Sequence, residues 1–135
     1  MNNLIEQIKK ARFIWICGNG GSASTAEHFT ADLVKRGYKA ICLSSNMSVI
    51  TMLANDYGYP YVFREQLEIF ANEKDLLITF SCSGKSENIL NAQNVFINKG
   101  WSVYAFPTFE EVEHQDFGIL ENEHLIMCHQ IVKIL

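Results

Sequence analysis

The run Phe13-Ile14-Trp15-Ile16-Cys17-Gly18-Asn19-Gly20-Gly21-Ser22-Ala23 decides the fold. Five consecutive apolar residues ended by glycine read as a strand buried on both faces. The glycines let the backbone turn tightly and bring its N–H groups close to a ligand. Ser24 to Lys35 follows as a helix with Ala26, Phe29, Leu33 and Val34 on its apolar side. A helix N-terminus behind such a loop offers unpaired N–H groups and the positive end of the helix dipole, so Asn19, Gly20, Gly21 and Ser22 suit an anion. The glycine spacing is not that of the dinucleotide fingerprint GxGxxG. No Lys-Ser or Lys-Thr pair follows as in GxxxxGK[ST]. No nucleotide cofactor is expected, and a plain tight turn is the alternative for this loop.

The same pattern repeats outward. Lys39 to Leu43, Asp75 to Phe80 and Trp101 to Phe106 read as further strands. Met47 to Ala54, Pro60 to Ala71 and Ser86 to Lys99 read as helices, the last closed by Gly100. Met1 to Ala11 is an amphipathic helix and His124 to Leu135 an apolar one. Thr108 to Asp116 is acidic and irregular, either a loop or the approach to a weak edge strand at Phe117 to Leu120. Strands alternating with helices predict one α/β domain over residues 1–135. Its architecture is a three-layer sandwich, a parallel sheet of four or five strands flanked by helices.

A second strand-to-helix loop is Ser81-Cys82-Ser83-Gly84-Lys85-Ser86-Glu87-Asn88. Three hydroxyls, at Ser81, Ser83 and Ser86, can converge on one phosphate together with the N–H groups that open the next helix. An N-cap role would explain Ser86 alone. Lys85 either adds charge or points to water. Both loops follow parallel strands, so both lie at the carboxyl edge of the sheet, where open α/β sheets bind ligands. Together they predict a phosphorylated polyol as ligand.

Composition excludes other classes. The chain has 135 residues and a formal net charge of -4, and no lysine or arginine run is longer than two, so no nucleic-acid partner is expected. No apolar run approaches the roughly 20 residues of a membrane span, and no signal peptide is expected. Cys17, Cys42, Cys82 and Cys128 are widely spaced with no CxxC pair, which predicts free thiols in a reducing cytoplasm.

Taken together, Gly18 to Ala23, the Ala26-Glu27-His28-Phe29 helix, Asn55-Asp56-Tyr57-Gly58-Tyr59 and Ser81 to Asn88 resemble the sugar isomerase (SIS) domain family. Within it they are most similar to the phosphoheptose isomerases, which convert sedoheptulose 7-phosphate to heptose 7-phosphate for bacterial surface sugars. The resemblance implies a flavodoxin-like sheet and a homodimer or homotetramer with active sites between subunits. It implies that Ser81, Ser83 and Ser86 hold the phosphate, with Cys82 where the family has threonine. Asn19, Ser22 and Asp56 then contact the sugar. It assigns His28, Asp32, Glu121 and His129 to one zinc ion per site, with Asp32 as base and His129 as acid. Asp32 replaces a family glutamate and Glu121 a family glutamine, a residue that would also contact substrate.

Glu121 and His129 are eight apart, about 12 Å along a regular helix. They reach one ion only if their side chains lean together or the helix starts after Glu121. Otherwise they serve different sites. The rival to an enzyme is a non-catalytic phosphosugar-binding or regulatory protein, which needs the serine loop but not the Asp32–His129 pair.

Overall fold

The computed structural model describes residues 2–135. The first helix, α1, spans Asn2–Lys10, and Met1 lies outside the described residues. Strand β1 (Ile14–Gly18) leads through the glycine loop into α2 (Gly21–Lys35). There follow β2 (Ala40–Cys42), α3 (Met47–Tyr57), a 3₁₀ turn (Tyr59–Tyr61), α4 (Arg64–Phe70), β3 (Leu76–Phe80), α5 (Glu87–Asn98), β4 (Ser102–Ala105) and α6 (Phe117–Ile134).

The four strands among the described residues form one parallel sheet in the order β2-β1-β3-β4. β1 and β3 are buried throughout because they occupy its centre, with Ile14 opposite Leu76 and Gly18 opposite Phe80. Their side chains alternate between two cores. Ile14, Ile16, Leu76, Ile78 and Phe80 pack with Ile8 of α1, Phe29 and Leu33 of α2, and Cys128 and Ile131 of α6. Trp15, Cys17 and Leu77 pack with Leu53 of α3, Leu67 of α4, and Ile89 and Phe96 of α5. This is the three-layer sandwich the alternation predicts.

Three local expectations are corrected. No edge strand forms at Phe117 to Leu120. Those residues are the first turn of α6, because the Asp116 side chain accepts from the Ile119 N–H at 3.0 Å and caps the helix. The single helix over Pro60 to Ala71 divides in two. The Pro60 carbonyl is taken by the Asn91 side chain at 2.9 Å, and Gln66 Nε2 reaches back to Val62 at 2.8 Å and across to Leu43 at 3.0 Å. Finally, α2 begins at Gly21, three residues before Ser24, where the sequence pattern started it.

At the sheet edge away from the loops, Asp75 is almost fully buried. Its carboxylate accepts from Arg12 Nε and Nη2, Trp15 Nε1 and the Asn72 N–H, each at 2.9 Å. Asp75→Ala strands the buried Trp15 donor and the Asn72 N–H, and is expected to lower stability by about 3 kcal/mol. Urea unfolding should show a reduced midpoint with an unchanged slope.

Candidate functional site

The strand order runs outward in both directions from β1 and β3, so the crevice between their carboxyl ends is the topological switch point. The two loops singled out in the sequence meet there. Asn19 and Asn88 pair reciprocally, with N···O distances of 2.8 and 2.9 Å, and tie the first loop to the start of α5. Tyr59 donates its hydroxyl to Asn19 Oδ1 at 2.9 Å.

Two glycines make the first loop possible. A β-carbon on Gly18 would lie 2.5 Å from the Ser22 carbonyl oxygen, so only glycine lets the first turn of α2 close onto the end of β1. Gly20 has φ +55 and ψ -123, a conformation that L side chains rarely adopt.

Between the loops lies a cavity of about 100 Å³ lined by Asn19, Ser22, Ser81, Ser83, Ser86 and Glu121, with Cys82, Phe80 and Phe117 completing the wall. Ser81 Oγ accepts from the Gly84 N–H at 3.2 Å and Ser83 Oγ from the Lys85 N–H at 3.1 Å. Each hydroxyl therefore keeps its O–H free to donate. Ser86 stands at the N-cap position of α5 but makes no side-chain cap hydrogen bond. Ser86 lines the cavity, and capping does not account for it. Lys85 points outward, 4.0 Å from Glu110. Burial raises the pKa of the Cys82 thiol, the Ser22 hydroxyl beside it offsets part of that rise, and the Glu121 carboxylate adds to it. This environment disfavours the Cys82 thiolate. A larger cleft of about 650 Å³ runs along β2 past Ile41, Met47 and Phe70, but no charged side chain lines it.

A second cluster sits farther along the outer surface. His28 Nε2 is 3.6 Å and His129 Nδ1 3.7 Å from Asp32 Oδ2, and the two rings meet edge to face at 5.0 Å. One ligand atom from each residue lies within 4.8 Å of the others. Three ligands about 2.1 Å from a tetrahedral ion stand about 3.4 Å apart, so this set of two nitrogens and one oxygen fits zinc with small side-chain adjustments.

Glu121 is not part of this cluster. α6 is a continuous helix from Phe117, which removes the possibility that it starts after Glu121. The Glu121 carboxylate instead packs on Gly21 at the N-terminus of α2. Glu121 beside Gly21 and His129 beside His28 show that α2 and α6 lie side by side and run in the same direction. Asp56 is exposed, bonded by Asn55 at 2.9 Å, and does not line the cavity. Its motif reaches the site through Tyr59. Tyr59, Asn88 and Phe117 escaped the sequence reading. Asn88 and Tyr59 lie inside quoted motifs, whereas nothing local marks Phe117.

With this geometry established, the comparisons are specific. Residues 1–107 match the SIS domain family. The chain belongs to that family. The phosphoheptose isomerase of Helicobacter pylori strain P12 is 48% identical over 95 residues, 66% of this chain and 50% of that protein. Phosphoheptose isomerase 1 of Campylobacter jejuni is 47% identical over 95 residues, 66% of this chain and 51% of that protein. The chain therefore spans about half the length of these curated relatives. The structure of phosphoheptose isomerase GmhA from Neisseria gonorrhoeae superimposes with a TM-score of 0.91 at 25% identity, covering 98% of this chain and 83% of that one. α6, with Glu121 and His129, lies beyond the residues matched to the family, so its correspondence rests on this superposition. Among the described residues, no helix is long and apolar enough to cross a membrane.

Gly18→Ala is expected to cost about 2 kcal/mol, since the backbone of the α2 turn must move to admit a methyl group. Denaturant unfolding measures this, and titration with inorganic phosphate should show weaker binding in the same variant. A neutral substitution would contradict the close approach of β1 and α2.

Proposed function

We propose that the chain is a sugar-phosphate aldose–ketose isomerase acting on sedoheptulose 7-phosphate to give heptose 7-phosphate. The observation that carries the reading is the pairing of two sites along one helix pair. A cavity of neutral donors lies at the N-terminal ends of α2 and α6, and a carboxylate flanked by two imidazoles lies farther along both. The eight residues from Glu121 to His129 rise about 12 Å. That separation suits an extended polyol phosphate rather than a three-carbon one. The relatives named phosphoheptose isomerase support the same substrate.

The phosphate is held at Ser81, Ser83 and Ser86 by hydroxyls and by N–H groups opening α5, while Asn19, Ser22 and Glu121 meet the adjoining sugar hydroxyls. Asp32 removes the proton from C1 of the ketose as His129 protonates the C2 oxygen, which gives the enediol. His129 then accepts the proton of the C1 hydroxyl and Asp32 returns its proton to C2, which completes the aldose. His28, Asp32 and His129 would hold a zinc ion. When bound, it supplies Lewis-acid polarisation of the substrate oxygens. Asp32, one methylene shorter than glutamate, still lies 3.6 Å from His28 Nε2 and 3.7 Å from His129 Nδ1.

The half-exposed His28 and His129, and exposed Phe117 and Ile126 on α6, support a homodimer or homotetramer with this surface at the interface. The phosphosugar substrate and the buried unpaired thiols fit a cytoplasmic reaction.

Incubation with sedoheptulose 7-phosphate, with and without Zn²⁺, is expected to yield the aldose. Ser83→Ala should raise KM about tenfold or more with kcat nearly unchanged, as expected for loss of one hydrogen bond to a charged group. His129→Ala should bind the sugar phosphate and not turn it over. Binding without turnover in either metal condition would replace this reading with that of a phosphosugar-binding protein. Sedimentation should give the mass of two or four chains.

A further inference from the structure

The segment between β4 and α6 lies across the loop that carries the three serines. The Phe109 N–H donates to the Cys82 carbonyl at 2.8 Å. The Thr108 side chain sits over Gly84, where a β-carbon would meet its Cγ2 at 3.0 Å. Phe109 packs edge-on against Phe117 at 4.8 Å, and Phe117 lines the cavity. The segment also braces itself: Glu111 Oε2 accepts from Thr108 N–H at 2.8 Å and from its hydroxyl at 3.2 Å. It is therefore a strap over the serine loop.

His124 anchors the first residue of that strap. Its side chain is wholly buried, with ring centroids 5.8 Å from Phe80 and 5.5 Å from Phe106. Nε2 lies 2.7 Å from the Pro107 carbonyl oxygen. A carbonyl only accepts, so Nε2 carries the hydrogen. Burial lowers the ring's pKa below the usual imidazole value and keeps it neutral. Nδ1 is buried with no hydrogen-bond partner among the described residues. An aliphatic side chain would fill this apolar site without leaving an acceptor unpaired. The one bond that the imidazole makes is the reason for having it there, and the isomerisation steps do not use it.

We propose that His124 is a positioning residue for the anion cavity: its bond to Pro107 sets the strap, and the strap sets the Ser81–Ser86 loop. The inference rests on reading that loop as the phosphate seat.

Amide hydrogen exchange at Phe109 reports the strap directly, without any ligand. In His124→Leu this amide is expected to exchange at least tenfold faster than in the unmodified chain. His124→Gln keeps a donor for the Pro107 carbonyl and should restore most of the protection. Affinity for inorganic phosphate and for sedoheptulose 7-phosphate should fall about tenfold in His124→Leu and recover in His124→Gln. Glu111→Ala loosens the strap from the exposed side and leaves the core intact. It should reproduce both effects even if His124→Leu fails to fold. Unchanged Phe109 exchange in the folded variants would overturn the inference, and so would faster exchange with unaltered phosphate affinity. If the unmodified chain binds no phosphosugar while exchange responds as expected, the functional reading fails and the link from His124 to the strap stands.

Discussion

Everything that this molecule does depends on the pairing of β1 with β3. The chain places β2 beyond β1 on one side and then returns to lay β3 against the other side of β1. That reversal sends the connections after β1 and β3 to opposite faces of the sheet, and it opens a crevice between two carboxyl ends that no crossover covers. Gly18 and Phe80 are the last paired residues, and the two loops that wall the cavity begin immediately after them. A shift of one residue in this register would exchange the faces of Ile14, Trp15, Ile16 and Cys17 and disrupt both cores at once. The burial that stabilises the sheet therefore also fixes the spacing of the loops.

The cavity is electrostatically unusual. No cationic side chain lines it, because Lys85 turns away toward Glu110, and one wall carries the carboxylate of Glu121. An anion there depends on hydroxyls and on the N–H groups at the starts of α2 and α5. Such donors act only when held at the right distance. Hence the loop is held from several sides: by the Asn19–Asn88 pair, by Tyr59 and by the strap from Pro107 to Glu111. The buried imidazole of His124 belongs to the same economy of neutral groups, and it contributes geometry rather than charge.

The two departures that the family resemblance implies, at Asp32 and Glu121, have different consequences in space. Asp32 in place of glutamate remains between His28 and His129, so the shorter carboxylate keeps both neighbours. Glu121 in place of glutamine stands two turns of α6 away, at the start of α2, where the helix dipole favours a negative charge. One residue stays between His28 and His129, and the other puts a carboxylate on the wall of the cavity.

The sequence by itself determined the fold class and located the two strand-to-helix loops that wall the cavity. Short apolar runs such as Phe13 to Cys17, each followed by a turn and a helix pattern, read as central parallel strands. Hydroxyls and glycines between a strand and a helix are local signals, complete within a few residues. The first turn of α6 was equally local, marked by the Asp116 cap, and its apolar residues obscured it. Only the tertiary structure decided how distant residues combine. Nothing near Glu121 or His129 in the chain says which of them stands beside Asp32, because that depends on α2 and α6 running in the same direction. Tyr59 on Asn19, Phe117 at the cavity and His124 under Pro107 are likewise contacts between elements far apart in sequence. Periodicity gives the face of a helix but not its neighbour, and the neighbour was set by the order in which the strands were laid into the sheet.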